Sequence, residues 1–570
     1  MWRFQPAAET ETSSARCGRS ANGAFRRARR AAALGLGAAC LLGGMPAAAE
    51  QQPERITAGF AGSQPNDRSE LPAANFDGSV IVFKSLASNL IENDANGRID
   101  VFLFDRTTGS IERVPIRPDT RTDPLQESFP PVVSDDGRFV AFGSAAENLV
   151  RGDFNLFPDA YRHDRADDAT RNLSLVIDGN GEGRLGGRVP DLPLSISADG
   201  RFVAFTAASA HIAGVDTNET HDVFVHDSET GTNELVSIAN LGTATARAAN
   251  DLSGAGVLSP DGNFVAFCSE ASNLTTDSPR DIAGIFLRDR AERQTIRLAP
   301  LGSGNCLQRE FMTGVSEGAD VVVFVSDLAL VDGDTNGLAD VYAWRRPGEL
   351  LLVSATADGR AGNGASKFPA VGRDGRLVVF QSTATNLVDT PDSNGADSDV
   401  FAVDLSDGRI LRLTGNGSEV TTGSSFAPAI SGNGVIVVFQ SNGRLTPDDQ
   451  NPYSDIYAIV NELSFTPTPT ETPTITPTPI PTETATPTPT QVPPTSTPTI
   501  DAGTPTPTRT PTSSGGGTAT PTKKPGGSDN DGCGCRIDPD TGRAASTLPL
   551  LTLLPPALLV GLRRRRERRG

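Results

Sequence analysis

The sequence predicts an all-β chain whose folded part is a seven-bladed β-propeller of four-stranded blades. Three observations support this prediction. One sequence pattern recurs seven times between Glu54 and Phe465, at intervals of 56 to 63 residues. Its apolar runs are short, β-branched and aromatic, without a sustained 3.6-residue period. The two ends of the region are in phase, so that the first strand can complete the last blade.

Each repeat contains a tight turn followed by an apolar strand, most clearly in residues 134–142, SDDGRFVAF. An Asp-Gly pair between apolar runs favours a hairpin, because Gly accepts positive φ. We name the strands a to d: a ends at this turn, b follows it (201–205), c begins at an Asp (222–225), and d is short (235–237). The turn glycines are predicted at Gly78, Gly137, Gly200, Gly262, Gly318, Gly375 and Gly434.

The phase of the ends predicts a closed ring. Residues 55–58 match strand d, whereas residues 455–458 match strand c. The N-terminal strand is therefore expected to close blade 7, which removes the open edges of a repeat array.

The turn-and-strand pattern resembles the TolB-like propeller repeat, and residues 259–267, SPDGNFVAF, are the best copy. This resemblance extends over the whole region and implies the propeller fold. It also implies a role as a binding platform or as a gate on a hydrolase. The sequence after the propeller is not typical of a hydrolase domain, so a gating role is not expected.

An acidic loop recurs between strands b and c, as in residues 94–100, DANGRID. Oxygen ligands at positions 1 and 3 are typical of the start of a calcium loop, although the closing Glu of an EF-hand is missing. The alternative is that Asp and Asn cap a turn and that the last Asp anchors strand c. The candidate Ca²⁺ ligands are Asp94, Asn96 and Asp100; Asp153, Asn155 and Asp159; Asp216, Asn218 and Asp222; Asp334, Asn336 and Asp340; and Asp449, Asn451 and Asp455. The loop of blade 4 is degenerate (Asp277, Asp281), and that of blade 6 is shifted (Asp392, Asn394, Asp399).

The propeller region shows no catalytic constellation in its sequence, and we expect no enzyme. His163 and His226 occupy matching places on strand c, which repeat descent explains, and no histidine pair has metal-binding spacing. Cys268 and Cys306 are the two cysteines of the region. In an oxidising compartment they are candidates for a disulfide, the alternative being two separate buried thiols.

Both ends of the chain are typical of targeting segments. Residues 1–49 combine a basic stretch, an apolar run and Ala47–Ala49, which predicts a secretory signal cleaved after Ala49. Lipidation at Cys40 is the alternative. Residues 50–465 form the propeller, and residues 466–531 form a Thr/Pro/Gly-rich stalk, disordered and extended as polyproline II.

Residues 532–570 contain Cys533 and Cys535, an apolar segment (544–562) and an Arg cluster (563–566). This order resembles the MYXO-CTERM class of sorting tails. The resemblance implies membrane insertion, processing near Cys533 by a sorting protease, and display at the cell surface. A plain single-pass anchor is the alternative.

The net charge of −19 argues against nucleic acid as a partner. Expected partners are a protein, peptide or glycan ligand, the export and sorting machinery, and the membrane through the tail. The function predicted is a non-catalytic surface binding or scaffold propeller. The alternatives are a secreted lyase or glycosidase and a calcium-stiffened envelope component.

Overall fold

A computed structural model describes residues 52–465, apart from short gaps at 115–125, 156, 177–187, 209–210, 214–215, 217, 219, 241–247, 279–281, 303–304, 310–312 and 416–422. The predicted signal peptide, stalk and sorting tail lie outside the described residues. In the described part, no helix has the length and apolar character needed to cross a membrane.

Seven four-stranded antiparallel sheets form the blades, as the repeats predict. Blade 1 contains β2 (Ser69–Ala74), β3 (Val80–Ser85), β4 (Asp100–Asp105) and β5 (Ser110–Val114); blade 2 contains β6 (Val132–Val133), β7 (Phe139–Ser144), β8 (Asp159–Asp164) and β9 (Ala169–Asn172); and blade 3 contains β10 (Ser195–Ile196), β11 (Phe202–Ala208), β12 (His221–Asp227) and β13 (Thr232–Leu235). Blade 4 contains β14 (Ser253–Leu258), β15 (Phe264–Ser269), β16 (Gly284–Asp289) and β17 (Gln294–Pro300); and blade 5 contains β18 (Gly314–Val315), β19 (Val321–Ser326), β20 (Asp340–Arg345) and β21 (Glu349–Leu352). Blade 6 contains β22 (Ser366–Val371), β23 (Leu377–Ser382), β24 (Asp399–Asp404) and β25 (Ile410–Arg412); and blade 7 contains β26 (Ser425–Ile430), β27 (Ile436–Ser441), β28 (Asp455–Val460) and β1 (Glu54–Arg55).

The N-terminal strand closes the ring, which confirms the prediction from the phase of the ends. β1 pairs antiparallel with β28, with Glu54 opposite Ala458 and Arg55 opposite Tyr457. Gly78 of blade 1 packs against Ile436 of blade 7, where an added Cβ would lie 2.6 Å from the Ile436 side chain. The backbone at Gly78 also has φ +71°, so both the turn and the contact between blades favour glycine there.

The core of each blade contains one stacked pair of aromatic rings, one from strand b and one from strand c. Strand b is buried along most of its length in every blade, as in β3 and β27, because neighbouring blades cover both of its faces. This burial explains why strand b reads as a continuous apolar run. The pairs have centroid separations of 5.7–6.0 Å and are Phe83–Phe102, Phe142–Tyr161, Phe205–Phe224, Phe267–Phe286, Phe324–Tyr342, Phe380–Phe401 and Phe439–Tyr457.

The turn position in blade 5 was predicted one residue too early. The Ala319 N–H donates to the Ser316 carbonyl at 3.0 Å, as the Gly262 N–H does to the Ser259 carbonyl in blade 4 at 2.8 Å. Ala319, at φ +51°, and not Gly318, is therefore the equivalent of the other turn glycines.

Strand d also begins earlier than predicted in blade 3, since β13 is Thr232–Leu235 and not 235–237. The Val236 N–H still donates to the Val223 carbonyl at 2.8 Å. At Ser237, however, the side-chain Oγ and not the main chain accepts the Val223 N–H, at 3.0 Å. The backbone hydrogen bonds between strands c and d therefore end where the Ser237 hydroxyl replaces a backbone carbonyl as acceptor.

The antiparallel order places the a–b and c–d turns on one face of the ring, and the b–c loops and d–a connections on the other. The a–b turns are linked around the axis by backbone hydrogen bonds. Asp135 N–H donates to the Ala198 carbonyl at 3.0 Å, and Glu317 N–H to the Arg373 carbonyl at 2.9 Å. At Pro260, the equivalent position in blade 4, this hydrogen bond is missing because proline has no N–H to donate. The acidic loops and the starts of strands a therefore share the opposite face.

Candidate functional site

The structure brings the predicted Asn and last Asp together in the acidic loops of blades 1, 2, 5, 6 and 7. In four blades the Asn side chain donates to the last Asp of its own loop, which is almost fully buried at the start of strand c. In blade 3, Asn218 donates instead to the Ala249 carbonyl at 2.6 Å. In blade 6, the shifted loop keeps the contact, Asn394 to Asp399, at 3.0 Å. The four bonds are Asn96 to Asp100 at 2.8 Å, Asn155 to Asp159 at 2.9 Å, Asn336 to Asp340 at 2.7 Å and Asn451 to Asp455 at 2.7 Å.

A hydroxyl at the end of strand d ties the last Asp to strand c. Ser354 Oγ donates to Asp340 at 2.6 Å and accepts the Val341 N–H at 3.0 Å. Sequence reasoning assigned this hydroxyl no role, although a Ser or Thr recurs 14 or 15 residues after the Asp in four blades. The equivalent pairs are Ser174 and Asp159, Ser237 and Asp222, Thr414 and Asp399, and, in blade 7, Thr57 and Asp455.

The first Asp of the loop accepts a hydrogen bond from the core Tyr of its blade where strand c supplies one. Tyr161 donates to Asp153 at 2.6 Å and Tyr457 to Asp449 at 2.6 Å. Tyr342 donates to Asp334 in the same way. The loop is therefore connected directly to the aromatic core.

A buried arginine lies between the two carboxylates in blades 1, 6 and 7. It occupies the strand-d position opposite the core aromatic of strand c, as Arg113 does opposite Phe102. Arg113 Nη1 lies 3.1 Å from Asp94 Oδ1 and 3.4 Å from Asp100 Oδ2. The equivalents are Arg55 (3.5 Å from Asp449 Oδ1 and 3.8 Å from Asp455 Oδ2) and Arg412 (3.8 Å from Asp392 Oδ1 and 4.0 Å from Asp399 Oδ2).

Blades 2 and 5 have no arginine at this position. Asn172 lies opposite Tyr161, and Leu352 lies opposite Tyr342. Their loops nevertheless keep both buried aspartates. Asp153 Oδ1 and Asp334 Oδ1 are buried and accept no hydrogen bond within the described part of the protein. These are the oxygens that face the guanidinium in the arginine blades.

Burial dominates the electrostatics of these carboxyl groups. It raises the pKa of Asp159 to about 7 and that of Asp340 to about 6, and the charges of Asp153 and Asp334 add to the rise. Among the described residues, no group of three or more His, Cys, Asp or Glu side chains is arranged to hold a metal ion. Each loop offers two carboxylates, so an ion there would also need amide, carbonyl or water oxygens.

The central channel opens on the same face as the acidic loops. It contains a cavity of about 230 Å³ lined by strand a and the residues before it, from all seven blades. The lining is rich in proline, alanine and leucine. The prolines that line it are Pro72, Pro130, Pro131, Pro193, Pro369 and Pro428.

Arg309 is the charged side chain among the described channel-lining residues. Its Nε donates to the Asp191 carbonyl at 2.7 Å, and its guanidinium pairs with the Asp191 carboxylate. Cys268 and Cys306 form a disulfide with a Cα–Cα distance of 5.1 Å. The disulfide joins the connection that carries Arg309 to strand b of blade 4.

The two matched histidines have structural partners. His163 Nδ1 lies 3.0 Å from Thr170 Oγ1, and His226 Nδ1 lies 2.9 Å from Asn233 Oδ1. Burial lowers the pKa of both imidazoles, which keeps them neutral near pH 7. Each ring therefore links strand c to strand d.

Residues 314–318, GVSEG, match the G-x-S-x-G pattern of hydrolase nucleophiles. Ser316, however, lies in the turn between β18 and β19, and its Oγ accepts the Val321 N–H at 2.9 Å. A strand, and not a helix, follows the turn. Ser316 is therefore a turn residue equivalent to Ser259. The predicted processing residues Ala49, Cys533 and Cys535 lie outside the described residues.

A scan against protein-family models finds no match, and a search of curated proteins finds no relative. Among solved structures, the chain is similar to oligogalacturonate lyase from Vibrio parahaemolyticus, with 13% identity, a TM-score of 0.42, and coverage of 73% of this chain and 99% of that one. It is also similar to the propeller domain of the Trilobed protease from Pyrococcus furiosus, with 11% identity, a TM-score of 0.41, and coverage of 70% and 94%. A putative TolB from Agrobacterium tumefaciens has 16% identity, a TM-score of 0.32, and coverage of 64% and 98%. These similarities concern the fold and carry no argument about activity.

Proposed function

We propose that this protein is a non-catalytic binding or scaffold propeller displayed outside the cell, with the mouth of the central channel as its ligand site. The lining of the channel is the observation that carries the proposal. Six of the seven blades contribute apolar side chains, blade 5 contributes Thr313 and Arg309, and Arg309 is held by Asp191. A glycosidase needs two carboxyl groups at the bond that it cleaves. The described channel lining supplies no such pair.

The channel chemistry favours a peptide segment over a glycan. A glycan requires convergent polar groups, whereas the recurring prolines here offer no N–H donors. The cavity of about 230 Å³ is smaller than a typical small-molecule site. It fits one or two apolar side chains, inserted as an anchor from a protein surface that rests on the surrounding loops.

The sequence outside the propeller supports display at the surface. A signal peptide ending at Ala49 would export the chain, and the sorting tail around Cys533 would deliver it to the envelope. A stalk of about 60 residues in polyproline II, at about 3.1 Å per residue, could reach on the order of 150–190 Å. In this proposal the signal peptide and the sorting tail interact with the export and sorting machinery and the membrane. The propeller binds the ligand.

The test is a peptide and glycan array probed with the full-length chain and two variants. Ala429→Glu places a charge in the channel lining, and Ala166→Glu places the same charge on an exposed turn of blade 2. We expect apolar peptides to bind the wild type and Ala166→Glu but not Ala429→Glu, with all three proteins melting at similar temperatures. Ala73→Glu serves if Ala429→Glu does not fold. Binding of glycans alone, or of peptides equally to all variants, would contradict the proposal.

A further inference from the structure

The acidic loop of blade 5 holds two buried carboxylates, and no cationic side chain of the described residues lies between them. Asp334 is 5% exposed and Asp340 is fully buried. Tyr342 donates to one oxygen of Asp334, while Ser354 and Asn336 donate to the two oxygens of Asp340. Asp334 Oδ1 is buried and accepts no hydrogen bond within the described residues. A buried carboxylate oxygen left without a partner is costly unless a cation or a donor faces it.

The sister blades show what faces this oxygen when the blade supplies its own cation. In blade 1, Asp94 Oδ1 and Asp100 Oδ2 both face Arg113 Nη1. Blades 6 and 7 repeat the arrangement with Arg412 and Arg55. In each case the positive charge lies between Oδ1 of the first Asp and Oδ2 of the last.

The strand register identifies the residue that replaces this arginine in blade 5. Arg113 lies opposite Phe102, and Arg412 lies opposite Phe401. In blade 5 the same position opposite Tyr342 is occupied by Leu352. The blade therefore keeps the carboxylates of the arginine blades but lacks the guanidinium.

We propose that the blade 5 loop binds one Ca²⁺ ion between Asp334 and Asp340, at the place that an arginine nitrogen occupies in blades 1, 6 and 7. Asp334 Oδ1 and Asp340 Oδ2 are the protein ligands, and carbonyl and water oxygens complete the shell. Ca²⁺ suits such a site because it accepts mixed oxygen ligands in a flexible geometry, whereas Mg²⁺ demands a near-ideal octahedron. This site is independent of the proposed channel ligand, and either can exist without the other.

The repeat itself supplies the variant that tests the proposal. Leu352→Arg places in blade 5 the guanidinium that blades 1, 6 and 7 already have, and Leu352→Met is the matched control without charge. Calcium binding to the full-length chain, freed of metal by chelator, is measured by isothermal titration calorimetry. We expect the number of bound ions to fall by one in Leu352→Arg and to stay unchanged in Leu352→Met.

A second variant keeps the proposal falsifiable if Leu352→Arg does not fold. Asp334→Asn retains an acceptor for Tyr342 but removes the charge, and we expect it to weaken the same site at least tenfold. A wild type that binds no Ca²⁺ would overturn the proposal. So would a bound-ion number that neither Leu352→Arg nor Asp334→Asn changes, or a site that binds Mg²⁺ in preference to Ca²⁺.

Discussion

Blades 1 and 5 contain nearly the same acidic loop, DANGRID and DTNGLAD, but differ in the residue that strand d places beside it. Blade 1 places Arg113 between its two buried carboxylates, whereas blade 5 has Leu352 at the equivalent position. The loop pattern alone therefore does not tell whether an arginine lies between the two carboxylates. The residue opposite the core aromatic on strand d supplies that information.

The same position on strand d can be compared in four other blades. Blades 6 and 7 follow blade 1, with Arg412 and Arg55, and blade 2 follows blade 5, with Asn172. Blade 4 has an arginine, Arg297, opposite Phe286, but its acidic loop is degenerate. A loop with an arginine between its carboxylates and a loop without one are thus two forms of one repeat.

Removing the arginine of blade 1 is expected to have the largest effect on stability. Arg113→Met removes the guanidinium that lies between the buried carboxylates of Asp94 and Asp100, and breaking a buried ion pair in this way costs about 3–5 kcal/mol. Chemical denaturation in metal-free buffer measures the loss. Ca²⁺ is expected to restore part of it, because the variant imitates blade 5.

The control for this prediction is Arg68→Met in the same blade. Arg68 is 44% exposed beside Asp67 and Glu70, and such a surface pair contributes about 0–1 kcal/mol. Equal effects of Arg113→Met and Arg68→Met would break the distinction between the two kinds of blade.

Blade 4 lacks a complete acidic loop and carries the disulfide, so the disulfide is expected to be its main local constraint. Replacing both Cys268 and Cys306 by serine opens a loop with a sequence separation of 38, at a cost of about 2–4 kcal/mol. The melting temperature under oxidising conditions gives the size of the effect. The disulfide adds no constraint if reducing agent leaves the melting temperature of the wild type unchanged and the double variant melts at the same temperature.

The smallest effect is expected when the core tyrosine is replaced by phenylalanine. The loss of stability should differ between blade 7, which has the arginine, and blade 5, which lacks it. Tyr457→Phe leaves Asp449 with Arg55 and the Asn451 N–H and should cost about 1 kcal/mol. Tyr342→Phe removes the hydrogen-bond donor that the structure shows for Asp334 and should cost about 2–3 kcal/mol without calcium. Paired denaturation curves compare them. Equal costs would mean that the arginine does not support its loop.

The sequence predicts the repeats well because each blade is encoded locally. The turn, strand b and strand c follow one another within one repeat, so their apolar runs and turn residues can be read directly. The two errors are at local irregularities. Ala319, and not Gly318, is the equivalent of the other turn glycines. Strand d of blade 3 ends at Leu235, and the Ser237 side chain then accepts the hydrogen bond that a backbone carbonyl would take.

The candidate site could be predicted only in part. Asp334, Asn336 and Asp340 lie within seven residues, so their convergence is visible in the sequence. Leu352 joins them only through the pairing of strands c and d. Only that register shows which loops already contain a cation and which present an unpartnered oxygen.

By itself, the sequence determined the seven repeats, the four strands of each blade and the closure of the ring, because these follow from local patterns and from the phase of the ends. Only the tertiary structure decided how each buried pair of carboxylates is neutralised. Arg55 and Thr57 reach the loop of Asp449 and Asp455 from the opposite end of the propeller region. The charge balance of a loop depends on strands that pair in space, and a repeat pattern does not encode those partners.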